Sequence, residues 1–361
     1  TIAIRGLVFA RMKHGSTDEV LNLASQFLKL EDWRKLGLNL DTELKGVVSA
    51  AALDEGNRLY ENGEAREAGA LLVKIAREFP DIPNRPRIFR NGAYMLAAAG
   101  DWQTAQTAAD DFLAQKFKNY RSDMMYLKGL ASEFQFKLKD AVETYLALGK
   151  SYPKHSRAQK SLRKAIKYAK AEERYDLAAN AAAVLATQAS NTNQRMGHYR
   201  DAVEMLERDQ QYEAAAKMAF TRLKAARSTA DKYESELMIA RNRYKVSAAG
   251  EREALEQLQT LARKLQRSRN SLGQDAYSKI AAETYFLLGE ESRRRFDDFN
   301  IFERAGGIPA NLRRKTEYFE DLVQNYSRAV DLGNPEFSSA AAYRLAESAD
   351  RLASDVGSIP K

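Results

Sequence analysis

The chain has 361 residues, 57 Lys and Arg against 49 Asp and Glu, a formal net charge of +8, and no cysteine. Disulfides, thiolate nucleophiles and thiolate metal sites are therefore excluded, and no apolar run approaches the ~18 residues of a membrane helix. At 44% hydrophobic and 29% charged, with seven prolines, the composition is that of a folded, helix-rich protein.

The mild basic excess permits an acidic partner, a nucleic acid or an anionic membrane face, and demands none of them. The absence of cysteine leans toward an oxidising compartment such as a bacterial periplasm. The first residue is Thr1 and no signal-peptide pattern follows it, as expected of a mature or trimmed chain with further repeats upstream.

Residues 1–48 read as a partial repeat and a connecting helix. The stretch IAIRGLVFARMKHGSTDEVLNLASQFLKL is helix, polar turn, helix, with Val20 in the second, and DTELKGVVSA supplies the extra helix. From residue 49 a period sets in. Ala68, Ala105, Ala141, Ala178, Ala215 and Ala254 are separated by 37, 36, 37, 37 and 39 residues. A fixed period of this length is the signature of a stacked array.

Each unit carries two apolar stripes at spacing three and four, so both its elements are helices. In the first unit the stripes are Ala52, Gly56, Leu59, Tyr60 and then Ala68, Leu71, Leu72, Ile75, Phe79, divided by the polar turn ENGEAR at 61–66. Small residues mark close helix crossings, because helices approach to 8–10 Å only where side chains allow it. Phe79-Pro80 and Tyr152-Pro153 stop the second helix of their units, since proline lacks the N–H and disfavours helix in the residue before it.

This pattern resembles the tetratricopeptide repeat, a pair of antiparallel helices of about 34 residues. Gly56, Ala68, Leu72, Ile75 and Pro80 match it, as do Gly129, Ala141, Tyr145, Leu148 and Pro153, while Ala93, Leu96, Ala105 and Phe112 match without the proline. The resemblance covers about residues 49–270. It implies an all-α, right-handed solenoid of six antiparallel helix pairs over 49–270, with the first helix of each pair lining a concave groove.

The groove places that the family's pattern assigns carry Arg87, Arg90 and Tyr94, then Asp123, Tyr126, Leu130, Glu133 and Phe134, then Lys160, Arg163, Lys167, Lys170 and Ala171. The four cations of the last set share one helical face. Such a face suits an acidic or carboxylate-bearing protein or peptide, and also reads as an ordinary solvated surface. The family's carboxylate clamp is not reproduced, because Arg90 is followed by Tyr94 and Arg163 by Lys167 where the clamp has asparagine.

After about residue 270 the period is lost, and 271–361 reads as a cap of long helices. DAYSKIAAETYFLLGEESRRRF offers Ile280, Tyr285, Leu287 and Leu288 for packing, ERAGGIPAN at 303–311 is a loop, and Gly333, Asn334 and Pro335 form a stop-start signal. A second basic cluster, Arg293, Arg294, Arg295, Arg304, Arg313, Arg314 and Lys315, either contacts phosphate, lipid headgroups or peptidoglycan carboxylates or stabilises helix ends. Lys315, AAYRLAES and Pro360 give this tail a resemblance to repeat scaffolds of deltaproteobacterial gliding-motility machinery, which implies a periplasmic or outer-membrane-associated location.

No catalytic residue, metal site or cofactor is expected. His14, His155 and His198 fall in different units without acidic residues at ligand spacing. Gly306-Gly307 precedes no Lys-Ser/Thr, and the pairs Glu172-Glu173 and Asp297-Asp298 sit at charged helix ends. The expected function is thus a non-catalytic scaffold in a bacterial envelope assembly, with no small-molecule substrate. The alternative is a cytosolic helical-repeat protein that binds RNA or an acidic peptide, although no RNA-recognition motif is present.

Overall fold

The computed structural model describes residues 2–29, 40–302 and 307–359. Among them lie seventeen α-helices and no strand. The chain forms two compact units, 1–184 and 185–361, divided within α10.

The first unit contains α1 (Ile2–His14), α2 (Thr17–Lys29), α3 (Leu40–Glu61), α4 (Ala65–Glu78), α5 (Arg85–Ala98), α6 (Trp102–Ala114), α7 (Arg121–Phe134), α8 (Leu138–Ser151), α9 (Ala158–Ala171) and most of α10 (Tyr175–Gln188). From α1 to α9 each helix packs on the next, and α3, α5 and α7 also touch one another in turn. The second unit contains α11 (Thr192–Arg208), α12 (Tyr212–Ala225), α13 (Thr229–Tyr244), α14 (Ala248–Ser268), α15 (Gln274–Asp297), α16 (Ile308–Asp331) and α17 (Pro335–Gly357). It follows the same rule, with α11, α13, α15 and α17 touching in turn. Thus α3, α5 and α7 form a contiguous row, as do α11, α13, α15 and α17 in the second unit, and the even helices of each unit pack against its row. The expected all-α array of helix pairs is what the chain builds.

The period has a physical origin in the turn inside each pair. Gly63, Gly100, Phe136, Glu173 and Gln210, spaced 36–37 residues apart, all have left-handed backbone, with φ between 54° and 87°. After each, the next N–H donates to a carbonyl five residues back: Glu64 to Leu59, Asp101 to Leu96, Lys137 to Ser132, Arg174 to Ala169 and Gln211 to Leu206, at 2.8–2.9 Å. This closure satisfies the last carbonyls of one helix and reverses the chain into the next. Glycine adopts it without strain, whereas a β-carbon there costs about 1–2 kcal/mol.

The six reference alanines are all fully buried. Five lie three residues beyond the start of their helix, but Ala254 lies six beyond Ala248, which accounts for the longer last interval. The turn before it, at 245–247, has no left-handed residue and is closed by Ser247 capping Gly250. Phe79 and Tyr152 end α4 and α8 by donating to Ile75 and Leu148, and the prolines follow. Asn334 caps α17 by accepting from Glu336 and Phe337, after Gly333 at φ 67°.

Three expectations need correction. DTELKGVVSA is no separate connector: it is the first half of α3, a single helix of 22 residues. Tyr60 leaves the stripe assigned to it and is 45% exposed, while Glu55 is buried beneath Arg58 instead. The small-under-bulky crossing does not end with the period, because Gly289 of α15 lies against the Tyr326 ring of α16 as Gly129 lies against Tyr145. Residues 303–306, including Arg304 and Gly306, and Pro360 lie outside the described residues.

Candidate functional site

Helix α9 buries Ala158, Ser161, Leu162, Ala165 and Ala169 along one side. Leu162 fills the space over Gly149 of α8. Lys164 and Tyr168 lie on an adjoining side and reach Glu133 of α7. At 100° per residue, Lys160, Arg163, Lys167 and Lys170 occupy the remaining face, opposite the buried stripe, and all four are exposed. Among the described residues none of the four has a carboxylate within ion-pair distance. Like charges at this spacing repel by a few tenths of a kcal/mol per pair.

The cations beside this face are already committed. Arg90 of α5 donates to Asp123 of α7 at 3.1 Å and lies over the rings of Tyr94 and Tyr120 at 5.2 and 5.3 Å. Tyr94 donates to the Asp123 carbonyl at 3.1 Å and accepts from Arg157 at 3.2 Å. His155 shares a hydrogen bond with Asp123 at 3.1 Å. Arg157 covers Tyr126 at 4.4 Å from the ring centroid, which leaves Tyr126 only 8% exposed. Burial first, then the neighbouring Asp123, push the Tyr94 hydroxyl up against the pull of Arg157, so it stays protonated.

The structure therefore corrects the groove. Arg87 and the four α9 cations are exposed, whereas Arg90, Tyr94 and Tyr126 belong to an internal network. Arg157 and His155, which hold that network together, were not singled out as functional. Their signal is slight: two polar residues in the PKHSR connection after a helix stop.

Glu133 is a second junction. It accepts from Tyr145, Lys164 and Tyr168, each at 2.6 Å, tying α7 to α8 and α9. Burial opposes its ionisation, and the three donated hydrogen bonds outweigh that, so its carboxyl sits below the ordinary value. Burial and the bond to Glu133 push the Tyr168 hydroxyl up to about 12.

The C-terminal basic cluster is only partly open: Arg294, Arg295, Arg313 and Arg314 are exposed, while Lys315 is buried. Lys315 is 3% exposed, donates to the Phe299 carbonyl at 3.0 Å, pairs with Asp355 and lies over the Phe296 ring. Its role is to join α16 to α17 and to the segment after α15. Arg293 is held by Glu290, Asp297 and Glu347 at 3.2–3.7 Å. Arg294 pairs with Glu251 and Glu291, and Arg295 with Glu291. Arg313 and Arg314 are exposed, and Arg314 donates to the Tyr318 hydroxyl.

In the second unit the odd helices carry paired charges. A cavity of about 210 Å3 there is lined by Glu204, Glu207, Glu234 and Glu283 with Arg241 and Lys279. Arg241 bridges Glu207 and Glu283, and the fully buried Arg222 joins Arg200 on Glu234. Among the described residues, no group of three or more His, Asp or Glu is arranged to hold a metal ion, and no helix is long and apolar enough to cross a membrane.

No protein-family model matches the chain, and no curated protein matches it significantly. Solved structures that align with it include a tetratricopeptide repeat protein from Parabacteroides merdae, at 11% identity over 82% of this chain and 97% of that one, with a TM-score of 0.33. Another is the C-terminal part of a repeat-containing protein of the same type from Cytophaga hutchinsonii, at 13% identity over 77% and 98%, with a TM-score of 0.31. The fold assignment rests on the chain's own helix pairing.

Proposed function

We propose that the protein is a non-catalytic scaffold whose first unit binds an acidic, carboxylate-bearing segment of a partner protein along α9. One observation carries this reading: Lys160, Arg163, Lys167 and Lys170 face solvent without an ion-pair partner among the described residues, while Arg90 of α5, Lys128 of α7 and Lys164 of α9 are each paired with a carboxylate of the same chain. A row of carboxylates on a partner would relieve the mutual repulsion and form charge-assisted hydrogen bonds.

RNA fits this face less well. Base stacking needs free ring faces, and the rings beside α9 are engaged, Tyr126 under Arg157 and Tyr168 under Lys167. Anisotropy titrations with a labelled hexaglutamate peptide and with a generic single-stranded RNA, over a salt series, separate the two. Saturable peptide binding lost in the Lys160→Glu/Lys167→Glu variant supports the reading. RNA binding with a steep salt slope and no peptide binding would replace it.

A place in the bacterial envelope belongs to the same proposal. Its support is the cysteine-free composition and the resemblance of the tail to envelope scaffolds. Fractionation of the native host tests it, and recovery with the cytosolic markers would remove it.

A further inference from the structure

Two aromatic side chains meet beside the turn joining α7 to α8, and a third, Phe136, stands exposed in that turn. The rings of Trp102 and Phe134 stack face to face, with centroids 4.0 Å apart and planes within 2°. Phe134 is still 52% exposed, and Phe136 is 88% exposed. Phe136 occupies the left-handed position, at φ 57°, that Gly63 and Gly100 fill in the two preceding pairs. It therefore accepts backbone strain that glycine avoids, and its ring gains almost no burial within the chain. Stability alone selects against that choice, and an exposed aromatic patch is a marker of an interaction site.

The surroundings define what the patch fits. Lys137 and Lys139 flank Phe136 and are exposed. Lys137 donates to the Gln135 side chain, and Lys139 has no ion-pair partner among the described residues. The adjoining Glu133 carboxylate is committed to Tyr145, Lys164 and Tyr168. Asp140 lies in the first turn of α8, where it complements the helix dipole.

Size narrows the occupant further. Two phenylalanine rings at this exposure offer on the order of 300 Å2, against about 800 Å2 per partner in a stable protein–protein interface. A short linear segment fits such an area, and a second copy of the chain does not.

We propose that Trp102, Phe134 and Phe136 form a docking point for a short acidic segment bearing one aromatic or leucine side chain. That side chain packs on the Phe136 and Phe134 rings, and its neighbouring carboxylates pair with Lys137 and Lys139. This point is separate from the α9 face and does not depend on it.

The test is a fluorescence titration in a Trp33→Phe background, so that Trp102 is the reporter. The probe is the acetylated, amidated peptide Glu-Asp-Phe-Glu-Asp, with a serine-for-phenylalanine control. The expected result is a saturable change with the first peptide and at least about tenfold weaker binding by the control. Phe136→Gly, which installs the residue this turn prefers and keeps the fold, should weaken binding at least tenfold. Lys137→Glu/Lys139→Glu should weaken it about fivefold or more, and Lys160→Glu/Lys167→Glu should leave it unchanged. The proposal is overturned by the absence of saturation at millimolar peptide or by unchanged binding in Phe136→Gly. It is equally overturned by loss of the signal in the α9 variant, or by sedimentation showing a dimer that Phe136→Gly abolishes.

Discussion

Gly129 and Tyr145 leave no room for a methyl group between them. A β-carbon on Gly129 would lie 2.7 Å from Cε1 and 2.8 Å from Cδ1 of the Tyr145 ring, and the hydroxyl of that ring is fixed on Glu133 at 2.6 Å. Gly56 stands in the same relation to Leu72, and Gly289 to Tyr326. In these three pairs such a joint holds the two helices close.

Gly129→Ala should therefore destabilise the protein by roughly 1–3 kcal/mol, the usual cost of overpacking. Ala141→Leu, at a fully buried position of α8, should fall in the same range. Urea denaturation reads both. Unchanged midpoints would mean that the α7–α8 crossing is looser than described.

The left-handed turns predict gains. Glu173→Gly and Gln210→Gly should each stabilise by roughly 0.5–1 kcal/mol, since relief of strain exceeds glycine's entropic penalty. A lower melting temperature in either variant would show that the native side chain contributes packing that outweighs the strain.

Acid should weaken the α7–α8–α9 junction through Glu133. Its folded carboxyl lies below the ordinary value of 4.5. Its contribution is therefore complete above that value and is lost as pH falls through the folded one. At high pH the Tyr168 hydroxyl acts in the opposite sense: its contribution is whole below about 10 and fades as pH rises through about 12. The stability gap between wild type and Glu133→Gln should be wide at pH 7 and close toward pH 3. A gap that stays constant with pH contradicts the assignment.

Lys315→Met should cost roughly 2–3 kcal/mol, because it removes the buried hydrogen bond to the Phe299 carbonyl and the ion pair with Asp355. Arg313→Ala and Arg314→Ala, at exposed positions, should change stability by less than about 0.5 kcal/mol. Equal effects at the three positions would contradict the buried, bridging role of Lys315.

The array was legible because its period is written in residues that respond to one constraint. Alanine at 68, 105, 141, 178 and 215 keeps the crossing close, and any larger residue would open it. The turns were half legible. Gly63 and Gly100 advertise a left-handed residue, while Phe136, Glu173 and Gln210 hold the same backbone without any compositional sign. The exposure of a cation was legible only where it sits opposite a clean apolar stripe, as on α9. Lys315 and Arg222 follow helical spacing too, but long-range partners decide their burial, and those partners are remote in sequence. Tyr126 was misjudged for the same reason, because its cover is Arg157 from the next pair.

The central proposal is that the exposed face of α9 is what this protein presents to a partner. Its most direct measurement is hexaglutamate affinity alongside melting temperature for wild type and Lys160→Glu/Lys167→Glu. The account predicts at least a tenfold loss of affinity with the melting temperature within about 2 °C, as for exposed substitutions. Unaltered affinity, or a loss that tracks a matching fall in melting temperature, would contradict it.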